Sequence, residues 1–233
     1  MAEPHPGGAV AAALEPSGLV PRGWLAPEAG AEPLLVDGKP AKAICLIGHA
    51  GGGFWPVFSA WWREHPRVSD PLDSWSKAVI EPVAAEAGGQ AVFPSDRPWH
   101  PFQAWAMKAE ALRSSPLGLL IHPEFGLWHG YRGAILFAET ALGDRVSSKS
   151  AMAGQAFVHP CDVCSDKPCL SACPVGAFSP DGFAVSNCRS YLRTKDGQQG
   201  CMTSGCLARE ACPVGRSHRY SPAQLQFHMT SYS

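Results

Sequence analysis

The chain has 233 residues with a formal net charge of −1, 45% hydrophobic residues and 17% charged ones. A balance this close to zero, with no cluster of Lys and Arg, lacks the electrostatic footprint of a nucleic-acid binder, so nucleic acid is not an expected partner. No run of about eighteen apolar residues occurs, so nothing is expected to span a membrane; the start Met1-Ala-Glu-Pro-His-Pro6 lacks a signal-peptide pattern, which makes cytoplasmic the expected location.

Residues 1–32, rich in Ala, Pro and Gly, read as an N-terminal extension with a short helix over 8–14. Residues 41–48 are a short apolar run ended by glycine, the pattern of a buried strand, and Cys45 within it reads as a buried structural thiol. Glycines at 48 and 51–53 follow. They lack the Gly-Lys-Ser/Thr ending of a phosphate loop, so a tight turn is expected. An aromatic helix over 57–64 comes next, with Trp61 and Trp62 assigned to the core. Asp70-Pro-Leu-Asp73 opens a helix running 74–87, stopped by Gly88 and Gly89. A strand over 90–93, a helix over 101–114 and strands over 118–121 and 133–138 complete the pattern. Strands alternating with helices predict an α/β (α+β) layered body. All eight tryptophans lie between Trp24 and Trp128, and eight of nine cysteines follow residue 160. Two domains are therefore expected, 33–150 and 151–233, with a border in the small, polar stretch 146–154.

The cysteines carry the strongest signal. They run Cys161-x2-Cys164-x4-Cys169-x3-Cys173-Pro174, then Cys188, Cys201, Cys206 and Cys212-Pro213. In the bacterial ferredoxin pattern three close cysteines grip one four-iron cubane and the fourth, ahead of a proline, crosses to the other. On that pattern Cys161, Cys164, Cys169 and Cys212 would ligate one [4Fe–4S] cluster, and Cys173, Cys188, Cys201 and Cys206 a second. Zinc would call for independent paired knuckles, and only Cys161-x2-Cys164 fits one. Disulfides would need an oxidising compartment. The second gap is longer than in standard ferredoxins, and the second half is stretched between Cys188 and Cys201. Lys167, Arg189, Arg193, Lys195, Arg209, Arg216 and Arg219 give this part a mild basic excess, which reads first as ordinary solvated surface with favourable charge near the clusters and would also suit an acidic electron donor.

Ile121-His-Pro-Glu-Phe-Gly-Leu-Trp-His-Gly-Tyr-Arg-Gly133 is dense in turn formers, aromatics, histidines and an arginine, and reads as a binding loop between strands. It resembles the Ile-His-Pro-x-Phe-Gly-x-Trp-x-x-x-Arg-Gly stretch of the CblC-type cobalamin-processing proteins. Asp70-Pro-Leu-Asp73 and Pro94-x-x-Arg97-Pro98 are similar to further segments of that family, so the likeness covers roughly residues 65–140. Cys173-Pro-x-Gly-Ala-Phe and Asn187-Cys-Arg-Ser-Tyr-Leu192 resemble epoxyqueuosine reductase, in which, as in the reductive dehalogenases, a nitroreductase-like corrinoid-binding domain precedes a two-cluster ferredoxin domain.

The resemblance implies that architecture here: a nitroreductase-like domain over 33–150 and a ferredoxin-like domain over 151–233. It implies cobalamin as a ligand, Arg132 orienting an anionic group at the corrinoid's upper face, and His122, Phe125, Gly126 and Trp128 shaping the wall. His122 reads equally well as a structural histidine bonded to its own turn. His129 and His100 are further candidates, and Phe93 stands where the mammalian proteins have a histidine. The expected activity is reduction of cobalamin or removal of its upper ligand, with electrons relayed through the clusters from a flavodoxin, ferredoxin or reductase. The alternatives are an epoxyqueuosine-reductase-like tRNA modification enzyme and an electron-transfer protein without corrinoid.

Overall fold

A computed structural model describes residues 6–28, 34–138, 158–179 and 182–232. The chain divides into two units, Met1–Ala111 with Gly130–Phe157 and Leu112–His129 with Val158–Ser233. The units interleave in sequence, so the stretch 112–129 groups with the cysteines, in contrast to a single border near 150. The stretch 146–154 lies outside the described residues. No helix among the described residues is long and apolar enough to cross a membrane.

The fold is mixed helix and strand. In the first unit β1 (Val20–Leu25), β4 (Ala43–Ala50), β5 (Gln90–Val92) and β8 (His129–Phe137) form one sheet in the order β1-β4-β8-β5. β2 (Leu35–Val36) and β3 (Lys39–Pro40) make a small hairpin around Asp37 and Gly38, both at positive φ, as a tight hairpin turn requires. β4 is central: Ala43, Ile44, Cys45, Leu46 and Ile47 are all fully buried, which is why its sequence is a continuous apolar run without alternation. Cys45 is indeed a buried core thiol, and burial pushes its pKa far up. At Gly48 an added Cβ would lie 2.0 Å from the Gly130 carbonyl oxygen, so the close approach of β4 and β8 requires glycine there. Gly51, at φ 61, makes the tight turn that follows, and its carbonyl lies 3.0 Å from His49 Nδ1.

The residues read as an N-terminal extension are part of this body. Val10 and Leu14 of α1 (Pro6–Leu14) are buried, as is Leu19, and β1 pairs antiparallel along β4. Pro21 and Gly23 hid this strand in the sequence. The register shifts between them, and a proline is tolerated because β1 is an edge strand.

α2 (Trp55–Glu64) and α3 (Pro71–Glu86) pack together through Phe54, Phe58 and Trp75, with ring centroids 5.6–6.2 Å apart. The core position on α2 is Phe58; Trp62 is exposed and stacks on Phe58, while Trp61 is half-buried against His65. Adjacent helix residues do not face one side, so the Trp61-Trp62 pair could not both enter the core. α4 (Phe102–Glu110) ends earlier than its periodicity suggests because Ala111 takes the left-handed conformation, φ 54.

The second unit begins directly after. β6 (Arg113–Ser114) pairs antiparallel with β7 (Leu120–Ile121), and β9 (Phe178–Ser179) pairs with β10 (Gly182–Phe183). The rest is short helix: α5 (Pro168–Ser171), α6 (Val185–Leu192), α7 (Lys195–Gln199), α8 (Cys201–Ser204) and α9 (Leu207–Glu210), closed by α10 (Pro222–Tyr232). Thr194 caps α7 by accepting from the Gly197 N–H at 3.1 Å.

Candidate metal centre

All eight cysteines of the second unit are free thiols. Cys169 sits on the four-residue helix α5, Cys188 on α6 and Cys201 on α8, while Cys206 precedes α9 and Cys212 follows it. Helices this short cannot stand alone in water, so they act as brackets that present thiols at set angles.

The thiols fall into two groups. Burial pushes the Cys161 thiol up to about 11, helped by Cys212, Cys169 and Cys164. Cys169 is raised by burial, then by Cys212 and Cys164, and Cys212 by burial and Cys164. These four border one pocket, whose walls also include Pro160, Pro168, Leu117, Ile121 and Leu127. In the other group Cys188 is raised by burial and then by Cys206, Cys173 and Cys201, and Cys206 by burial and by Cys201 and Cys173. The raising thiol neighbours of each of these cysteines all come from its own group. The structure thus brings together Cys161, Cys164, Cys169 and Cys212 at one place and Cys173, Cys188, Cys201 and Cys206 at another.

Backbone amides point at the sulfurs. The Ala177 N–H donates to Cys173 Sγ at 3.3 Å. Amides of Ala208 and Arg209 serve Cys206, that of Val214 serves Cys212, and those of Cys169 and Leu170 serve Cys169. Such donors favour the thiolate, the form that binds metal. Among the described residues no three His, Cys, Asp or Glu side chains converge as the ligands of one metal ion do. A single zinc draws its sulfurs to about 2.3 Å. In a cubane each thiolate binds a different iron, so four sulfurs stand further apart around a larger body. The donor set, soft thiolates with amide donors and apolar walls, fits an iron–sulfur cluster in each group.

The loop 121–129 lies in the same unit and packs on the Cys212 segment. His122 and Gly126 exchange backbone hydrogen bonds at 2.9 Å, and His122 Nδ1 accepts from the N–H groups of Glu124 and Phe125 at 3.1 and 3.2 Å. His122 therefore shapes its own turn. Gly126, at φ 56, has no room for a side chain: a Cβ would stand 2.0 Å from the Val214 carbonyl oxygen. Gly215 repeats this from the other side, where a Cβ would be 2.3 Å from the carbonyl carbon of Phe125. Phe125 stacks on His122 at 4.3 Å and meets the His218 ring edge-on. Trp128 is buried to 1% exposure against Tyr220. His129 Nε2 lies 3.1 Å from the Leu120 carbonyl oxygen. The residues expected to shape the wall, His122, Phe125, Gly126 and Trp128, all belong to this unit, whereas Arg132, expected to orient an anionic group, belongs to the first. There Arg132 is half-buried and its Nε donates to the Tyr131 carbonyl at 2.9 Å; His100, also in the first unit, stacks on Trp105.

The first unit also holds a buried polar group that no local sequence pattern marks. The Arg22 side chain, 2% exposed, pairs with Glu110 at 2.9 Å, and the Tyr131 hydroxyl donates to the same carboxylate. Burial raises the Glu110 pKa against the opposing pull of Arg22, and burial and then Glu110 raise that of Tyr131. Only the unusual density of polar and aromatic residues near Tyr131 hinted at it; nothing marked Arg22, set between Pro21 and Gly23. The cationic side chain of Arg209, placed over Trp128 and Tyr220, was equally silent in the sequence.

No protein-family model matches the chain, and no curated protein matches it.

Proposed function

We propose that this chain is an iron–sulfur oxidoreductase whose second unit, a bacterial-ferredoxin-like module, holds two [4Fe–4S] clusters and whose first unit, of the nitroreductase-like kind, binds a corrinoid to be reduced or relieved of its upper ligand. The observation that carries this reading is the separation of eight free cysteines into two groups of four, each with backbone amides aimed at its sulfurs. Bound there, the clusters would supply electrons one at a time at low potential, as reduction of cobalt demands. The cysteines would hold them; the prolines and Leu117, Ile121 and Leu127 around the first group would keep water from its sulfurs. The His122–Trp128 loop, wedged on Val214 and Gly215, would fix Cys212. Arg132, on β8, supplies the charge that would orient an anionic group of the substrate. An external low-potential donor, a flavodoxin, ferredoxin or reductase, would load the clusters, and a cytoplasmic location accords with reduced thiols.

A second reading, an electron-transfer protein without corrinoid, has one observation in its favour: His122, Gly126 and Trp128 are committed to packing within the second unit. An anaerobic titration separates the two. The first reading expects cobalamin to quench tryptophan emission, with a spectral change on reduction by the cluster-loaded protein. An inert titration with loaded protein leaves the electron carrier, and turnover of a modified tRNA nucleoside instead of cobalamin would point to the epoxyqueuosine-reductase-like alternative.

A further inference from the structure

Arg209 lies three residues after Cys206 and three before Cys212, so it falls between a cysteine of each group. Its main chain touches both. The Arg209 N–H serves Cys206 Sγ, and its carbonyl accepts from the Cys212 N–H at 3.2 Å. Its side chain lies in the corner of two rings whose centres are 5.3 Å apart, the guanidinium carbon 4.5 Å from the centre of the Trp128 ring and 4.6 Å from that of Tyr220. The guanidinium also donates to the Leu127 carbonyl oxygen. Its Nε is buried with no hydrogen-bond partner among the described residues. The neighbouring carboxylate, Glu210, pairs with Arg219, and among the described residues no carboxylate pairs with Arg209. A guanidinium always carries its charge, and packing against two rings removes part of the water that would screen it. This is therefore a fixed, partly desolvated positive charge carried by the residue whose main chain links the two thiol groups.

Building on the two-cluster reading above, we propose that Arg209 is a positioning residue for electron transfer, holding a cation between the two cysteine groups so that both clusters are easier to reduce. Each cluster gains one negative charge on reduction, and a nearby uncompensated cation favours the more negative form. Trp128 and Tyr220 keep the charge in place. This gives the buried Trp128 a role that needs no corrinoid contact.

The test is a potentiometric titration followed by electron paramagnetic resonance on anaerobically purified full-length protein, comparing wild type, Arg209→Gln and Tyr220→Leu. With iron content equal to wild type, Arg209→Gln should lower the reduced-to-oxidised ratio at fixed potential by roughly tenfold, which is about 59 mV for one electron. Tyr220→Leu, which frees the side chain without altering residue 209, should shift the potential in the same direction by less. If Arg209→Gln does not retain iron, Tyr220→Leu decides alone. Unchanged potentials in the iron-loaded variants would overturn the inference. Wild-type protein that takes up no iron would instead sink the two-cluster reading, and this inference with it.

Discussion

In the first unit the interior is made by side chains that need nothing else: five consecutive buried residues of β4 and the cluster of Phe54, Phe58 and Trp75. In the second, cysteines occupy the places where such side chains would be. Cys169 and Cys212 sit in one buried group with Leu117, Ile121 and Leu127, and Cys201 sits in another with Leu192 and Met229. A unit built of helices as short as four residues around thiols has little apolar surface of its own to bury. The first unit should therefore be stable by packing alone, whereas on the two-cluster reading the stability of the second would be tied to what its cysteines hold.

Stripping iron with a chelator should set the two units furthest apart. Proteolysis within the second unit should become at least about tenfold faster, a shift of ~1.4 kcal/mol in opening. The emission of the first unit, which contains every tryptophan but Trp128, should barely change. A second unit that stays resistant would mean that it is held by its protein core. The mirror experiment is Ile47→Ala on the fully buried β4, which should cost about 2–5 kcal/mol by denaturant unfolding of the first unit and leave iron content alone.

Gly126→Ala probes the wedge beside Cys212. It puts a Cβ into a left-handed residue and onto the Val214 carbonyl, a strain of about 1–3 kcal/mol, and should draw iron down toward about four per chain as Cys212 shifts. Retention of full iron would separate the loop from the metal centre.

The smallest effect is one of pH. The Cys161 thiol is raised from 9.0 to about 11 by burial and its thiol neighbours, so at neutral pH it is protonated, and iron must displace that proton. Insertion of iron into stripped protein should therefore be several-fold faster at about pH 9 than at about pH 7. The raised value also sets a sign for metal-free stability: the contribution is full below the unfolded value of 9.0 and is lost as pH rises toward about 11, because the unfolded chain ionises first.

The cysteine groups were legible because ligand spacing is a local property of sequence, and β4, α3 and β5 were legible because burial writes itself as apolar periodicity. β1 was not, since its pairing to β4 is a long-range event and its Pro21 and Gly23 erase the alternation. The loop 121–129 was legible as special, but its packing on the Cys212 segment was not. Its glycine is required by the carbonyl of Val214, more than eighty residues away, a close approach that no local pattern records. The Arg22–Glu110 pair and the Arg209 stack are of the same kind: each partner looks like ordinary surface charge until the fold brings the other to it.

The most direct test of the account is the metal content of anaerobically purified, full-length protein, with its spectrum before and after reduction by dithionite. Two groups of four thiolates holding cubanes predict about eight irons and about eight sulfides per chain, with a low-potential paramagnetic signal on reduction. One zinc per group with no sulfide, or a signal from one cluster only, would contradict it.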